Sequence, residues 1–224
     1  MEHVESAIER GGTSNSCRPN VLAGELFPEP PRQERSRRAH EALVAAALSR
    51  FAETGYEATS IDDIATQAGV AVGAFYLHFR SKRQVLLVLL DRLLTEFDSW
   101  PALAPDAGAA TVIERIRHYF DQGWIFAGVY RAWREAALRD TSLEHLDARL
   151  EAWSTARCAG LLEHAAARPG GRPSVDIPTL AGMLSVIFWR SLDTPVAARE
   201  ALSATVAAVV THALFEDGAG AESR

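Results

Sequence analysis

Of the side chains that could do chemistry, His118, His145, His164 and His212 are scattered over separate segments, and Cys17 and Cys158 lie far apart. No carboxylate–histidine cluster has metal-ligand spacing, and there is no nucleophile elbow, phosphate loop or dinucleotide fingerprint. Neither an enzyme nor a bound metal or cofactor is expected. The pattern that does stand out is one of recognition. Two short helices joined by a turn at Gly69 have the sequence shape of a helix-turn-helix, because a steep crossing with almost no linker needs a residue tolerant of positive φ. Val70, Phe75 and Phe79 should face inward, leaving Val72, Gly73, Tyr76 and Leu77 toward the major groove of a duplex. Upstream, Arg35, Arg37 and Arg38 form a basic cluster, which fits either a minor-groove contact or a solvated helix start.

These side chains need elements to hold them. Ala39, Leu43, Ala46, Ala47, Leu48, Phe51 and Ala52 recur at helical spacing and predict a first helix from about Arg35 to Thr54, stopped by Gly55. Ser60-Ile61-Asp62-Asp63 is a capping box, and Ile61, Ile64, Ala65 and Ala68 follow on one face. A third helix is expected from near Ala71 to around Phe79. Ser81-Lys82-Arg83-Gln84 is a second capping box, opening a long helix through Val85 to Phe97. After a Pro-containing loop at 100–107, helices are expected at about Ala109–Trp124, Phe126–Arg139, Leu143–Arg168, Ile177–Leu192 and Val196–Phe215. Thr141 or Ser142, Asp176 and the pair Thr194-Pro195 are the expected starts of the last three.

The chain reads as all-α, with an N-terminal three-helix helix-turn-helix domain and a C-terminal helical domain for ligand binding and dimerisation. The expected boundaries are a flexible arm over 1–33, the helix-turn-helix domain over 34–83, the C-terminal domain over 84–216 and a tail over 217–224. Scarce cysteine suggests a reducing cytoplasm, no apolar run suits a membrane span, and the N-terminus shows no secretory signal. The net charge of −6 hides an asymmetry: Arg32 to Gln84 holds eight basic and six acidic residues, so this segment is net +2 on an acidic body.

The stretch Thr59-Ser60-Ile61-Asp62-Asp63-Ile64-Ala65, then Ala68-Gly69-Val70-Ala71-Val72-Gly73-Ala74-Phe75-Tyr76-Leu77-His78-Phe79, then Ser81-Lys82, resembles the TetR family signature. The resemblance covers about Arg35 to Leu90. It implies an operator-binding regulator and assigns roles by position. Thr59 and Ser60 would hold a phosphate, Gly73 would let the backbone approach DNA, Tyr76 and His78 would donate to phosphate, and Lys82 would be a second anchor. Two departures matter. Ala71 replaces the family's usual serine, and Val72, Ala74 and Leu77 offer no hydrogen bonds to base edges. Specificity should then lean on methyl contacts, backbone approach and DNA shape, with Arg35, Arg37 or Arg38 in a minor groove. A ligand- or protein-binding helical dimer with weak or nonspecific DNA binding is the alternative.

In the C-terminal half, Val85 to Arg92 and Ala181 to Leu192 resemble the fourth and eighth helices of the mycobacterial ethionamide-resistance type of repressor. Tyr119, Phe120, Trp124, Tyr130, Trp133, Trp153, Phe188 and Trp189 crowd the middle helices, either as plain core or as the lining of an apolar effector site. Ser185 and Phe188 are the inward candidates of the eighth helix, which points to an apolar ligand. The last two helices are apolar on more than one face, through Met183, Ile187, Val206, Val209 and their neighbours. That is expected of a homodimer built on a four-helix bundle. A ligand among the middle helices would shift the end of the long fourth helix and change the spacing of the two reading heads.

Overall fold

The computed structural model describes residues 18–30, 32–99, 108–168, 170–172 and 174–215. Among them the chain forms α1 (Glu34–Thr54), α2 (Ile61–Gln67), α3 (Val72–Phe75), α4 (Lys82–Asp98), α5 (Ala109–Ile125), α6 (Ala127–Ala137), α7 (Thr141–Ala166), α8 (Ile177–Ser191) and α9 (Val196–Leu214). The only other ladder pairing among the described residues is an isolated bridge between Gly171 and Phe215. The expected all-helical class is the one observed.

Local signals explain most of the ends. Gly55, at φ +84°, stops α1 and donates its amide to Phe51 O at 3.1 Å. Ser60 caps α2 through a reciprocal box with Asp63. Gly69, at φ +68°, turns the chain so that the Val70 amide returns to Ala65 O at 3.0 Å. The third helix is shorter than expected: beyond Phe75 the chain continues only as turns, with the Leu77 amide on Ala74 O. With Ala71 at its N-cap this helix has no side-chain cap. Ser81 caps α4, but the second capping box is half formed, because Gln84 Oε1 instead accepts the Arg80 amide at 2.8 Å. At α7 the cap is Asp140, not Thr141 or Ser142: its carboxylate accepts both the amide and the hydroxyl of Ser142. Asp176 caps α8 as expected, whereas α9 starts at Pro195 without a side-chain cap.

A continuous core runs from the head, through Leu43, Phe51, Ile64, Phe75 and Phe79, along α4 into the aromatic residues of α5, α6 and α8. Close packing and hydrogen bonds join the head to the body. Gly128 of α6 lies against Ala52 of α1, and the Glu135 carboxylate accepts the Tyr56 and Glu57 amides at 2.6 and 3.1 Å. The expected arm is corrected over residues 18–30, which pack on α4. Val21 is buried, Arg18 pairs with Asp91, Glu25 pairs with Arg83, and Gln84 Nε2 donates to Leu26 O at 3.1 Å. The apolar Val21, Leu22 and Phe27 give this segment a surface to bury, which composition alone concealed. Residues 1–17, the 100–107 loop and the 217–224 tail lie outside the described residues.

Candidate nucleic-acid interface and aromatic core

The head presents one edge. Ala71, Gly73, Tyr76 and Leu77 are exposed, Tyr76 by 53% and Leu77 by 70%, while Val72 and Ala74 are half-buried. Behind them Phe75 and Phe79 are fully buried, their rings 5.6 Å apart. Val70 packs half-buried on the same core. A turn this short with bulky anchors behind it sets the aim of Tyr76 and Leu77 through packing, since α3 is too brief to hold itself.

Three residues expected at phosphates are placed elsewhere. Thr59 is 1% exposed, and its hydroxyl donates to Gly55 O at 2.6 Å, closing the α1–α2 loop. His78 is 7% exposed and turns inward, edge-on to His40 with centroids 5.5 Å apart. Lys82 Nζ donates to Tyr56 O at 2.5 Å and Thr59 O at 2.9 Å, and lies 4.3 Å from the centre of the Tyr56 ring. Loop carbonyls left open by the end of α1 draw this cation inward, a demand that no sequence spacing displays. Ser60 is exposed, yet its hydroxyl is committed to Asp63.

Arg37 and Arg38 both bond to Glu34, at 2.7 and 3.0 Å. The acid three and four residues before them was the signal for this pairing. Arg35 and Arg80, by contrast, are exposed and have no side-chain ion pair among the described residues, which makes them better placed for phosphate than Arg37. Sequence reasoning had not singled out Arg80. Lys82→Ala is expected to cost about 1–2 kcal/mol of stability in a urea melt while leaving the salt slope of DNA binding unchanged. A slope lowered by about one, with stability intact, would return Lys82 to the phosphate backbone.

The aromatic candidates divide into two groups. Tyr119, Phe120 and Trp189 all contact the Phe188 ring, at 4.4, 5.6 and 5.0 Å between centroids. Trp124 joins through Phe120 at 5.9 Å and Tyr130 stacks on Trp189 at 4.3 Å. Phe97, near the end of α4, touches the same group through Tyr119 at 5.1 Å. Burial pushes the Tyr130 hydroxyl up to about 12 and the Tyr119 hydroxyl higher still, so both remain neutral donors. Trp124 Nε1 donates to Ser191 O at 2.9 Å, whereas Trp189 Nε1 is a buried donor without a partner among the described residues. Trp133 and Trp153 stand apart. Trp133 is fully buried with Nε1 on Asp147 at 2.7 Å, and Trp153 lies under Arg157. Both read as structural anchors. Ser185 is half-buried on α8, one turn before Phe188.

Residues 43–89 match the family model described as bacterial regulatory proteins, tetR family. The matched stretch spans most of α1, the helix-turn-helix and the first half of α4. The match in sequence is confined to this N-terminal region, where DNA-binding transcriptional regulators share the helix-turn-helix. The Transposon Tn10 TetC protein of Escherichia coli is 35% identical over 91 residues, 40% of this chain and 46% of that protein. The HTH-type transcriptional repressor KstR2 of Mycolicibacterium smegmatis is 38% identical over 75 residues, 34% of each chain. The chain thus spans less than half the length of these curated relatives. Salmonella enterica GusR superposes with a TM-score of 0.60 at 19% identity, over 79% of this chain and 95% of that one, which extends the likeness of fold into the C-terminal half. Among the described residues no helix is long and apolar enough to cross a membrane.

The helix-turn-helix head is also expected to respond to pH. His40 stacks on Phe79 at 4.8 Å and faces His78, and the Nδ1 atoms of both histidines are buried without a partner among the described residues. Burial holds both imidazoles below their usual 6.5; for His40 the neighbouring His78 and Arg92 add to this and Glu41 opposes it. The unfolded chain therefore takes up protons before the folded one does. Stability should be full above about pH 6.5 and should fall as the pH drops toward the depressed folded values. Urea melts between about pH 7.5 and 5.5 check this, and His78→Gln should flatten the slope. An unchanged slope in that variant would assign the loss to other groups.

Proposed function

We propose that the chain is a cytoplasmic homodimeric repressor that holds double-stranded operator DNA through the edge formed by Ala71, Gly73, Tyr76 and Leu77 and is released by a small apolar effector. The observation that carries this is the exposure of Tyr76 and Leu77 on a helix-turn-helix whose other aromatic residues are buried. Arg35 and Arg80 are assigned to the phosphate backbone, Val72 and Ala74 to methyl contacts, and Thr59, His78 and Lys82 to holding the reading edge in place. The dimer is assigned to α8 and α9, on which the apolar Met183, Val186, Ile187 and Val209 are exposed. Burying such a face against its two-fold copy would set two heads on successive major grooves.

The effector is assigned to the group of Tyr119, Phe120, Trp124, Tyr130, Phe188 and Trp189, with Ser185 at its edge. The unpartnered Trp189 Nε1 suits a ligand with one hydrogen-bond acceptor on an apolar body. The plan of the ethionamide-type repressors is supported by the apolar Val85–Leu90 run of α4 and by Phe188 of α8, with Ser185 where a more polar pocket would place its contacts. Two routes lead from this group to the head: Phe97 at the end of α4, and α6, which carries both Tyr130 and Glu135. A ligand switches occupancy only if it binds the releasing arrangement more tightly, by a few kcal/mol.

The test is fluorescence anisotropy on the DNA flanking the chain's own gene, at fixed salt. Wild type should bind it specifically, and Tyr76→Ala should lose about ten- to a hundredfold in affinity with an unchanged melting temperature. The half-apolar reading edge also fits a ligand- or protein-binding dimer with nonspecific DNA affinity. Binding that is salt-sensitive but blind to sequence, and indifferent to Tyr76→Ala, would establish that second reading in place of the first.

A further inference from the structure

A cavity lies away from the aromatic group, between α1 of the head and α4. It has a volume of about 380 Å³ and is lined by Val44, Ala45 and Leu48 of α1, Leu89 and Thr95 of α4, and Phe126, with Glu41, Arg92 and Glu96 at its charged positions. Its floor is apolar: Val44 and Leu89 are buried, and Leu48 and Phe126 pack half-buried on the core. Its charges are unequal. Arg92 is spent on Glu41 through a two-pronged pair at 2.8 and 2.9 Å, so these two cancel. The Thr95 hydroxyl is also spent, on Asp91 O at 2.7 Å. The Glu96 carboxylate is exposed at the mouth of the cavity and has no ion pair among the described residues. What remains is an apolar hollow with one uncompensated negative charge and an aromatic ring.

We propose that this cavity binds a small organic cation, an amine or quaternary ammonium on an apolar body, with its charge against Glu96 and its body on Leu48, Leu89 and Phe126. A neutral ligand would gain nothing from the exposed carboxylate, and an anion would have to displace Glu41 from Arg92. Phe126 adds a ring face that attracts a cation. The site is separate from the effector site proposed above and is placed to act differently. Its walls are α1 of the head and the C-terminal half of α4, so an occupant bears directly on the angle between them.

Calorimetric titration of the full chain with phenethylamine, 2-phenylethanol and 3-phenylpropionate tests this. The three probes share a ring and differ in charge. Phenethylamine should bind at least about fivefold more tightly than either of the others, and Glu96→Gln should remove that advantage. Ala45→Trp, which fills the cavity from an exposed position, should abolish binding, whereas Ser185→Trp, beside the aromatic group, should leave it intact; melting curves confirm that each variant folds. Equal binding of all three probes, a preference for 3-phenylpropionate, or binding indifferent to Ala45→Trp would each overturn the proposal. The first would reduce the cavity to a plain apolar hollow, the second would make Arg92 the recognising group, and the third would put the ligand elsewhere. None of these outcomes depends on operator binding.

Discussion

Phe75→Ala should destabilise the chain by about 3–5 kcal/mol and abolish specific retention of DNA. Phe75 has no solvent exposure, and its ring is 5.6 Å from Phe79 and 5.5 Å from Tyr76. It also sits in a four-residue helix without a side-chain cap. Such a helix has almost no stability of its own, so the aim of Tyr76 and Leu77 is borrowed from the two phenylalanines packed under α1 and α2. Removing one ring leaves a cavity that this brief element cannot close without moving. Leu77→Ala is the control. It removes a comparable apolar side chain from the exposed side of the same turn and should change stability by less than about 0.5 kcal/mol. Urea unfolding gives both values; a Phe75→Ala loss no larger than that of Leu77→Ala would mean that the reading edge is positioned by something else.

Gly128→Val is the second large effect, and it acts on the joint between head and body. A Cβ at Gly128 would fall 2.4 Å from the Ala52 Cβ and 2.7 Å from its Cα. Because backbone is among the atoms struck, no change of rotamer relieves the clash, and α1 and α6 must separate. The separation would also draw Glu135 from the Tyr56 and Glu57 amides and Arg139 from Glu57, a pair now at 3.0 Å. The overpacking should cost about 1–3 kcal/mol, and the variant should bind operator less tightly even though no DNA-facing residue has changed. Ala52→Gly in the same chain removes the struck Cβ but not the Cα, so the double variant should lose less stability than the two single variants summed, as coupled neighbours do. Strict additivity would reject close helix approach as the reason for the glycine.

The helices were legible because their signals are local. Ser60 with Asp63, Ser81, Asp176 and the glycines at 55 and 69 act within a few residues, and the apolar spacing of α1 and α4 repeats over several turns. The inward and outward sides of α3 were legible for the same reason: Phe75 and Phe79 are buried while Tyr76 and Leu77 are exposed, as the spacing requires. The polar residues were not. Thr59, His78 and Lys82 stand at positions the family motif associates with DNA, yet each is turned inward by a partner distant in sequence or hidden by a loop: Gly55 O, the His40 ring, and the Tyr56 and Thr59 carbonyls. A polar side chain has several acceptable partners, and only assembly selects among them.

The amino-acid order by itself determined an all-helical chain with a helix-turn-helix near its N-terminus and an aromatic-rich body behind it, because helix periodicity, capping and glycine turns are short-range effects. Tertiary structure alone decided which cations are free, which aromatics meet and where the hollows lie. Arg35 and Arg80 remain available while Arg37 does not, Trp133 and Trp153 stand outside the Phe188 group, and a cavity opens beside Glu96. Those outcomes depend on how close two helices can come, as Gly128 and Ala52 illustrate, and distance between elements is a property that no stretch of sequence carries alone.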